Sequence, residues 1–402
     1  MATGVIFSSL FIDIITLVIV QFKNGIKFIF TGRLPKTKYP PFNVSIVIPA
    51  YNEEENIEEV IDSAFNQTHP PKQVIVIDDY SSDNTLKSCS RAKQKYKNLK
   101  ILTKKENKGK AHSVSYVLEN INLSEITIVL DADTFLSKDY IKEITKPFLN
   151  KRVAIVTGIS LPIKASNFFG KIIYHGATFQ YKFFCFRKKA HALRNAMAVI
   201  CGDSSAYRTS FLKKIKGFPQ GTETEDMDIT WIALENGYRI DYQKNALARS
   251  KDPSTFKGHI KQIMRWYSGS IQCLYKHNKE LLKAKSLLFT TLIPIYFDTL
   301  IYAPLFAFSL FLFFIYPKFA IAFYLADFIF TLLAILYLDW KLIRRLPEIY
   351  IIKFIWSTVW FIAFIKTTLQ YIFGKRNWGG GWDRSSFYTK KKSKLTGEIK
   401  NV

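Results

Sequence analysis

Apolar residues in this chain gather at its two ends, and that segregation limits the folds open to it. Residues 3–22 read TGVIFSSLFIDIITLVIVQF, a helical length matched to the ~30 Å hydrocarbon core of a bilayer. No basic segment precedes this stretch and no small-residue cleavage site follows it. It therefore reads as an anchor over 1–24 rather than a signal peptide. Lys23, Lys27, Arg33, Lys36 and Lys38 come next, which places residue 23 onward in the cytosol by the positive-inside rule. Further apolar runs cover 287–316, 319–338 and 349–373, predicting about three spans over 287–373. The basic linker DWKLIRRLPE belongs on the cytosolic side. A third span then puts KKKSK (390–394) outside, against the same rule, so counting leaves the side of the basic tail (374–402) open. The expected setting is a multi-pass protein of the cell membrane, with a soluble body at about 40–258 in the cytosol.

Charge narrows the partners. Lys and Arg exceed Asp and Glu by 57 − 32 = +25, which favours anionic lipid, an anionic substrate or nucleic acid. No nucleic-acid motif is present, so membrane lipids and an anionic substrate are the expected partners, and nucleic acid is not. The chain has 48% hydrophobic residues, enough to exclude global disorder. Its four cysteines, Cys89, Cys185, Cys201 and Cys273, show no CxxC spacing, so neither a zinc site nor a disulfide framework is expected.

The soluble body alternates strand and helix patterns. NVSIVIPAY (43–51), QVIVIDD (73–79), LKILTK (99–104) and ITIVLDAD (126–133) read as strands. Helical spacing follows the first (53–67), second (84–96) and third (109–119). Such βαβ units predict an α/β fold with a mostly parallel sheet and ligands at the strand carboxyl ends. No GxGxxG or Walker loop is present. Polar residues collect at those ends instead: Asp78 and Asp79, then Lys108 and Lys110, then Asp131 and Asp133. Side chains at i and i+2 of an extended segment point the same way, so the last two carboxylates can share one hard cation. The plainer reading of Asp-Ala-Asp-Thr is a turn and helix cap before FLSKDYIKEI.

Five motifs then occur in order: PAYNEE (49–54), VIDDYSSDNT (76–85), Asp-Ala-Asp (131–133), TETEDMDIT (222–230) and QIMRW (262–266). Together they resemble family 2 inverting glycosyltransferases, and within them the membrane-embedded cellulose, hyaluronan and poly-N-acetylglucosamine synthases. The resemblance covers about 44–283. It implies a GT-A-type nucleotide-sugar-binding domain over 40–258, amphipathic interface helices carrying QxxRW over 259–285, and transmembrane helices at both ends.

The resemblance also implies roles for individual residues. Pro49, Tyr51, Glu53, Asp79, Lys110, Asp131, Gln262 and Arg265 would contact the donor, with Asp79 at its uridine end. Asp131 and Asp133 would hold Mg²⁺ or Mn²⁺. Asp226 would be the general base, with Cys201, Gly202, Glu225 and Trp266 toward the acceptor. Asp203 stands where cellulose synthases carry a Ser after the Cys-Gly pair, a departure in the acceptor segment. The implied reaction is inverting transfer from a nucleotide-diphosphate sugar, expected to be a UDP-sugar, elongating and translocating a β-linked polysaccharide. A single transfer to a lipid acceptor, as in ceramide glucosyltransferases, is the alternative.

Residue spacing supports part of this on its own. Gln262, Arg265 and Trp266 stand at i, i+3 and i+4, one face of a helix; the plainer reading is a surface helix with a buried Trp. TETEDMD is equally an acidic helix start with Thr222 or Thr224 as cap. The aromatic and basic stretch 168–194 reads as a membrane-surface helix or a buried amphipathic one. Asp13, Asp298 and Asp327 lie within apolar runs, where a charge needs a partner, a cavity or an interface. RNWGGGWDR (376–384) reads as a hinge between two Trp residues. His175, His191 and His259 show no ligand spacing.

Overall fold

The structure, a computed structural model, describes residues 12–19 and 42–374. Residues 12–19 form a helix, α1. Eight strands follow: β1 (Val44–Ala50), β2 (Gln73–Asp78), β3 (Leu99–Thr103), β4 (Ile126–Val129), β5 (Thr134–Leu136), β6 (Val153–Pro162), β7 (Ala206–Arg208) and β8 (Arg239–Ser250). Helices α2 (Ile57–Phe65), α3 (Thr85–Lys95) and α4 (Lys110–Asn120) link the first four strands; α5 (Tyr140–Ile144), α6 (Phe168–Arg194), α7 (Thr209–Lys214) and α8 (Glu225–Glu235) sit among the rest.

The sheet runs β3-β2-β1-β4-β7-β6-β8-β5. The β3-β2-β1-β4 half is parallel throughout, as alternation of strand and helix predicts. The other half mixes one parallel pair, β6 with β8, and antiparallel contacts of β7 with β4 and β6 and of β5 with β8. Ile46, Ile48, Val74 and Val76 face one buried layer, and Val47, Ile75 and Ile77 face the other. Both faces are covered, so the strands read as continuous apolar runs.

Loops at the carboxyl ends of β1 and β2 are tied to each other. Asn52 takes a left-handed backbone (φ 54°), a conformation Asn tolerates better than most residues. Its side-chain oxygen accepts from Ser82 N at 2.8 Å, and its own N–H donates to Ser81 Oγ at 3.0 Å.

Three expectations change. The fourth strand ends at Val129 rather than running through Asp133. Thr134 N donates to Asp131 O at 3.1 Å, so Asp131–Thr134 is a turn rather than extended chain. Thr224 occupies the helix-cap position of α8 but makes no side-chain cap. Thr222 Oγ1 reaches Asp228 Oδ2 instead, at 3.2 Å.

The carboxyl-terminal third is helical: α9 (Phe256–Lys276), α10 (Asn278–Leu281), α11 (Lys285–Leu287), α12 (Ile293–Phe297), α13 (Ala303–Ile315), α14 (Pro317–Asp339) and α15 (Leu346–Ile372). π-helical turns at Leu288–Leu292 and Asp298–Tyr302 join α11 to α12 and α12 to α13. Among the described residues, two helical runs are long and apolar enough to cross a membrane, Lys285–Phe308 and Pro317–Ile372. The second, 56 residues long, exceeds twice the ~20 residues one crossing needs. A 3₁₀ turn at Trp340–Arg345 folds it into a hairpin, and Lys353 of α15 meets Asp327 of α14 at 2.7 Å. Only 33% and 28% of the two apolar windows are buried, and Phe314, Leu325, Leu333 and Tyr337 stand exposed. The core helix of a water-soluble domain would hide such residues. The amino-terminal expectation is described only over α1, where Asp13 is fully buried against Arg187 and Arg194 of α6, both at 2.7 Å. The rest of that segment, the tail and RNWGGGWDR lie outside the described residues.

Candidate active site

One cavity of about 380 Å³ opens where the sheet meets α6, α8, α9 and the carboxyl-terminal helices. Lys110, Asp131, Asp133, Cys201, Gly202, Glu225, Asp226, Gln262, Arg265 and Trp266 all line it. These come from five separate stretches of sequence. Pro49, Tyr51, Glu53 and Asp79 are absent from that lining. They cluster beside it, around the ends of β1 and β2, where Glu53 N donates to Thr85 Oγ1 at 2.8 Å.

Asp79 is buried and heavily engaged. Its carboxylate accepts from Gly109 N at 2.7 Å and Lys108 N at 3.2 Å, and pairs with Lys104. Gly109 takes φ 83°, which opens the turn into α4. Asp79 thereby fixes the start of α4, whose first residue is Lys110.

Lys110 is the hub of the cavity floor. Its Nζ lies 2.6 Å from Asp131 Oδ1, 3.4 Å from Glu225 Oε1 and 2.5 Å from Gly202 O. Burial opposes its charge, but the carboxylates of Asp131 and Glu225 more than offset this and hold the ammonium above its ordinary pKa. Asp131 and Asp133 present hard oxygen donors to the same cavity. Among the described residues no group of three His, Cys, Asp or Glu side chains is arranged to hold a metal. Two carboxylates fit Mg²⁺ or Mn²⁺, which commonly take one or two protein carboxylates and draw remaining ligands from substrate phosphates and water.

Asp226 sits in the first turn of α8. Burial, then the neighbouring charge of Glu225, raises its pKa to about 6, against the lowering pull of Arg265 and Lys110. A carboxylate so poised is suited to taking a proton near neutral pH. A Cβ built on Gly202 would stand 2.9 Å from Asp226 Oδ2, so glycine lets the Cys201–Gly202 backbone lie against this carboxylate.

The QIMRW helix is bolted to the TED segment. Arg265 Nη1 donates to Glu223 O at 2.8 Å, and Glu223 N donates to Gln272 Oε1 at 2.9 Å. A Cβ on Gly269 would fall 2.5 Å from Thr224 Oγ1, so the two elements touch backbone to side chain. Trp266 lies 6.1 Å from Trp356 of α15, edge to face. Two turns earlier, α9 meets the same residue again, Trp356 Nε1 donating to His259 Nε2 at 3.0 Å.

Lys188 and Asp252 are among the lining groups not singled out as site residues from sequence. Lys188 Nζ lies 2.9 Å from Cys201 Sγ, and Asp252 accepts from Tyr181 Oη at 2.9 Å. Burial raises Asp252 to about 7, its bond from Tyr181 opposing. Lys188 lies in the aromatic and basic stretch, where its spacing matches its neighbours. Asp252 follows β8, and no motif marks it.

A parallel half-sheet with carboxylates, a lysine and a Trp-Arg helix at its ligand edge defines a GT-A-like α/β fold. Residues 40–269 match the family described as glycosyltransferase like family 2, and the chain belongs to that family. Among curated relatives, a poly-beta-1,6-N-acetyl-D-glucosamine synthase of Staphylococcus epidermidis is 29% identical over 249 residues, 61% of this chain and 58% of that enzyme. One from Staphylococcus aureus is 27% identical over 273 residues, 65% of each. The match thus spans less than two thirds of either relative. In fold, the chain resembles a mannosyltransferase from Pyrobaculum calidifontis solved with GDP-Man and Mn2+. The TM-score is 0.58 at 17% identity, covering 92% of this chain and 99% of the other.

Proposed function

We propose that this protein is a membrane glycosyltransferase that moves a sugar from a nucleotide-diphosphate donor, a UDP-sugar, onto a growing β-linked polysaccharide, with inversion. The observation that carries this reading is the convergence of Asp131, Asp133, Asp226, Arg265 and Lys110 on one cavity. The likeness to poly-N-acetylglucosamine synthases favours a polymer over a single lipid acceptor.

In this reading Arg265 and Lys110 hold the diphosphate, one by a planar fork and one by a point charge. Asp131 and Asp133 would hold Mg²⁺ or Mn²⁺, which when bound neutralises charge on the leaving diphosphate. Asp226 takes the proton of the acceptor hydroxyl as that oxygen attacks the anomeric carbon and the bond from that carbon to the diphosphate oxygen breaks, releasing the nucleoside diphosphate. A positioned base contributes ~10²–10⁴-fold in rate. One displacement with Asp226 as base inverts the anomeric centre. Gln262 and Trp266 orient the sugar, and Cys201, Gly202 and Glu225 bound the acceptor side. Pro49, Tyr51, Glu53 and Asp79 shape the nucleoside end from beside the cavity.

We assign residues 40–258 to the transferase domain, 259–285 to the interface helices and 287–373 to membrane-crossing helices, with the domain on the cytosolic side. Tyr296, Trp356 and Trp360 of the carboxyl-terminal helices extend the cavity wall, an aromatic surface suited to a sugar chain leaving toward the bilayer. The test is a screen of radiolabelled UDP- and GDP-sugars with the purified full chain and Mn²⁺, followed by product sizing and linkage analysis. A polymeric, β-linked product supports the reading. A single-sugar lipid product moves it to the lipid-acceptor alternative, and no transfer from any nucleotide sugar overturns it.

A further inference from the structure

A second hollow, of about 240 Å³, is lined by α6 residues different from those that line the catalytic cavity. Its walls are α6, the ends of β6 and β8, and the 3₁₀ turn between α14 and α15. Its polar groups are unusually one-sided. Lys182, Arg249, Lys341 and Arg345 line it, and among the described lining residues Asp339 is the one carboxylate. Lys182 pairs with Asp339 at 2.5 Å, and Arg345 reaches Glu348, just outside, at 3.2 Å. Four cations therefore face two acids. His175, also in the wall, adds no charge near neutral pH, because burial and then the Arg345 guanidinium lower its pKa.

Arg249 is the telling member. It stands near the end of β8, and its Nε is buried with no hydrogen-bond partner among the described residues. No carboxylate of those residues lies within ion-pair distance of Arg249 or Lys341. A guanidinium N–H shut away from water with nothing to donate to is costly, and a phosphate oxygen is the acceptor its fork fits best. The rim points to where such a group would come from. Tyr337, just before the turn, and Trp340 and Ile343 within it are exposed at 73%, 63% and 38%, the aromatic and apolar profile of a headgroup-level belt.

We infer that this hollow binds a phosphate-bearing anion, held by Arg249, Lys341 and Arg345. The phosphate belongs either to an anionic lipid headgroup or to a soluble phosphate. The site is separate from the proposed transferase chemistry and does not depend on it. It is nonetheless adjacent to it: Ser250, Lys251 and Asp252, which follow Arg249, line the catalytic cavity.

The test uses the purified full chain in a phosphate-free maltoside detergent. Thermal unfolding and apparent affinity are measured against short-chain phosphatidylglycerol in one arm and inorganic phosphate in the other. The variants are Arg249→Gln and the double Lys341→Gln/Arg345→Gln, whose side chains lie on the exposed turn and carry little packing. At least one probe raises the unfolding temperature of the wild type, and each variant weakens that probe roughly tenfold, the value of a lost charge-assisted hydrogen bond. A shift with the lipid alone assigns the source to the bilayer; a shift with inorganic phosphate assigns it to a soluble phosphate. If neither probe shifts the wild type, or if both variants respond as the wild type does, the site is not there. The second outcome also separates this hollow from phosphate captured by the catalytic cavity. Should Arg249→Gln fail to fold, the double variant decides alone.

Discussion

Gly202 and Asp226 touch: a methyl group on the first would press on the carboxylate of the second, 2.9 Å from Oδ2 and 3.2 Å from Cβ. Gly202→Ala therefore displaces the proposed base while keeping both cations proposed to hold the diphosphate, Lys110 and Arg265. The expected result is a fall in kcat of roughly 10²-fold, the scale of a small misplacement of a reacting group, with the donor KM nearly unchanged. Steady-state kinetics of the variant check this; a normal kcat would remove Gly202 from any positioning role.

Asp226, as the proposed base, would set the acid limb of the activity profile. It would act as the carboxylate, so kcat should fall as pH drops through about 6. The stability sign is opposite. The native group holds its proton more tightly than the unfolded chain, so its favourable contribution is full below the ordinary carboxylate pKa and is lost as pH rises through 6. Asp226→Asn should thus abolish turnover and raise the unfolding temperature at pH 7, while nucleotide binding persists. A variant that is both inactive and less stable would contradict the burial argument.

Removing the ammonium of Lys110 leaves Asp131, Glu225 and Gly202 O without their shared donor. Lys110→Met should cost roughly 1–3 kcal/mol, below the full cost of breaking a buried pair because these side chains keep some solvent access. It should also weaken donor binding. Denaturant melts and nucleotide titrations of the same preparation measure both.

His277 joins α8 to the end of α9. Its two ring nitrogens sit 2.8 Å from Asp228 and 2.7 Å from Glu235. Burial works against its charge, but these carboxylates raise its pKa to about 9. Its stabilisation is fully present below the ordinary pKa near 6.5 and declines as pH rises through 9. Wild-type unfolding temperature should drop across that window, and His277→Gln should flatten the drop.

In the helical hairpin, Asp327 and Lys353 form a buried pair at 2.7 Å, and Tyr302 and Tyr350 also donate to the carboxylate. Asp327→Asn leaves Lys353 uncompensated, for which about 3 kcal/mol is expected. Lys353→Met on that background should recover part of the loss. Unfolding in a fixed detergent reports both steps.

β1, β2 and β4 were legible because they are buried on both faces and so are largely apolar, whereas the edge strand β3, with Lys100 and Thr103 exposed, was marked by its place in the alternation of strands and helices. The second half of the sheet carries weaker signals. β8 alternates buried and part-exposed residues irregularly and holds Arg239, Lys244 and Arg249, which hides it from a periodicity reading. β5 and β7 are three residues each, too short to show any period. At the site, the motif residues were legible because several chemical groups recur in a fixed order. Lys188 and Asp252 were not, since their meaning lies in contacts with Cys201 and Tyr181, 13 and 71 positions away. The acidic pair at 131 and 133 faces one cavity as expected, though through a turn instead of a strand pleat.

The seam between α9 and α15 has a practical side. Trp356 to His259, Tyr267 against Trp360 at 3.7 Å, and Tyr275 stacked on Tyr371 at 3.9 Å fasten the Arg265 helix to the hairpin along its length. Trimming the chain to a detergent-free fragment ending before residue 285 would strip one wall from the reaction chamber and bare a row of aromatic rings to water. Reconstituted whole protein, rather than a liberated head, is the preparation in which its turnover can be measured.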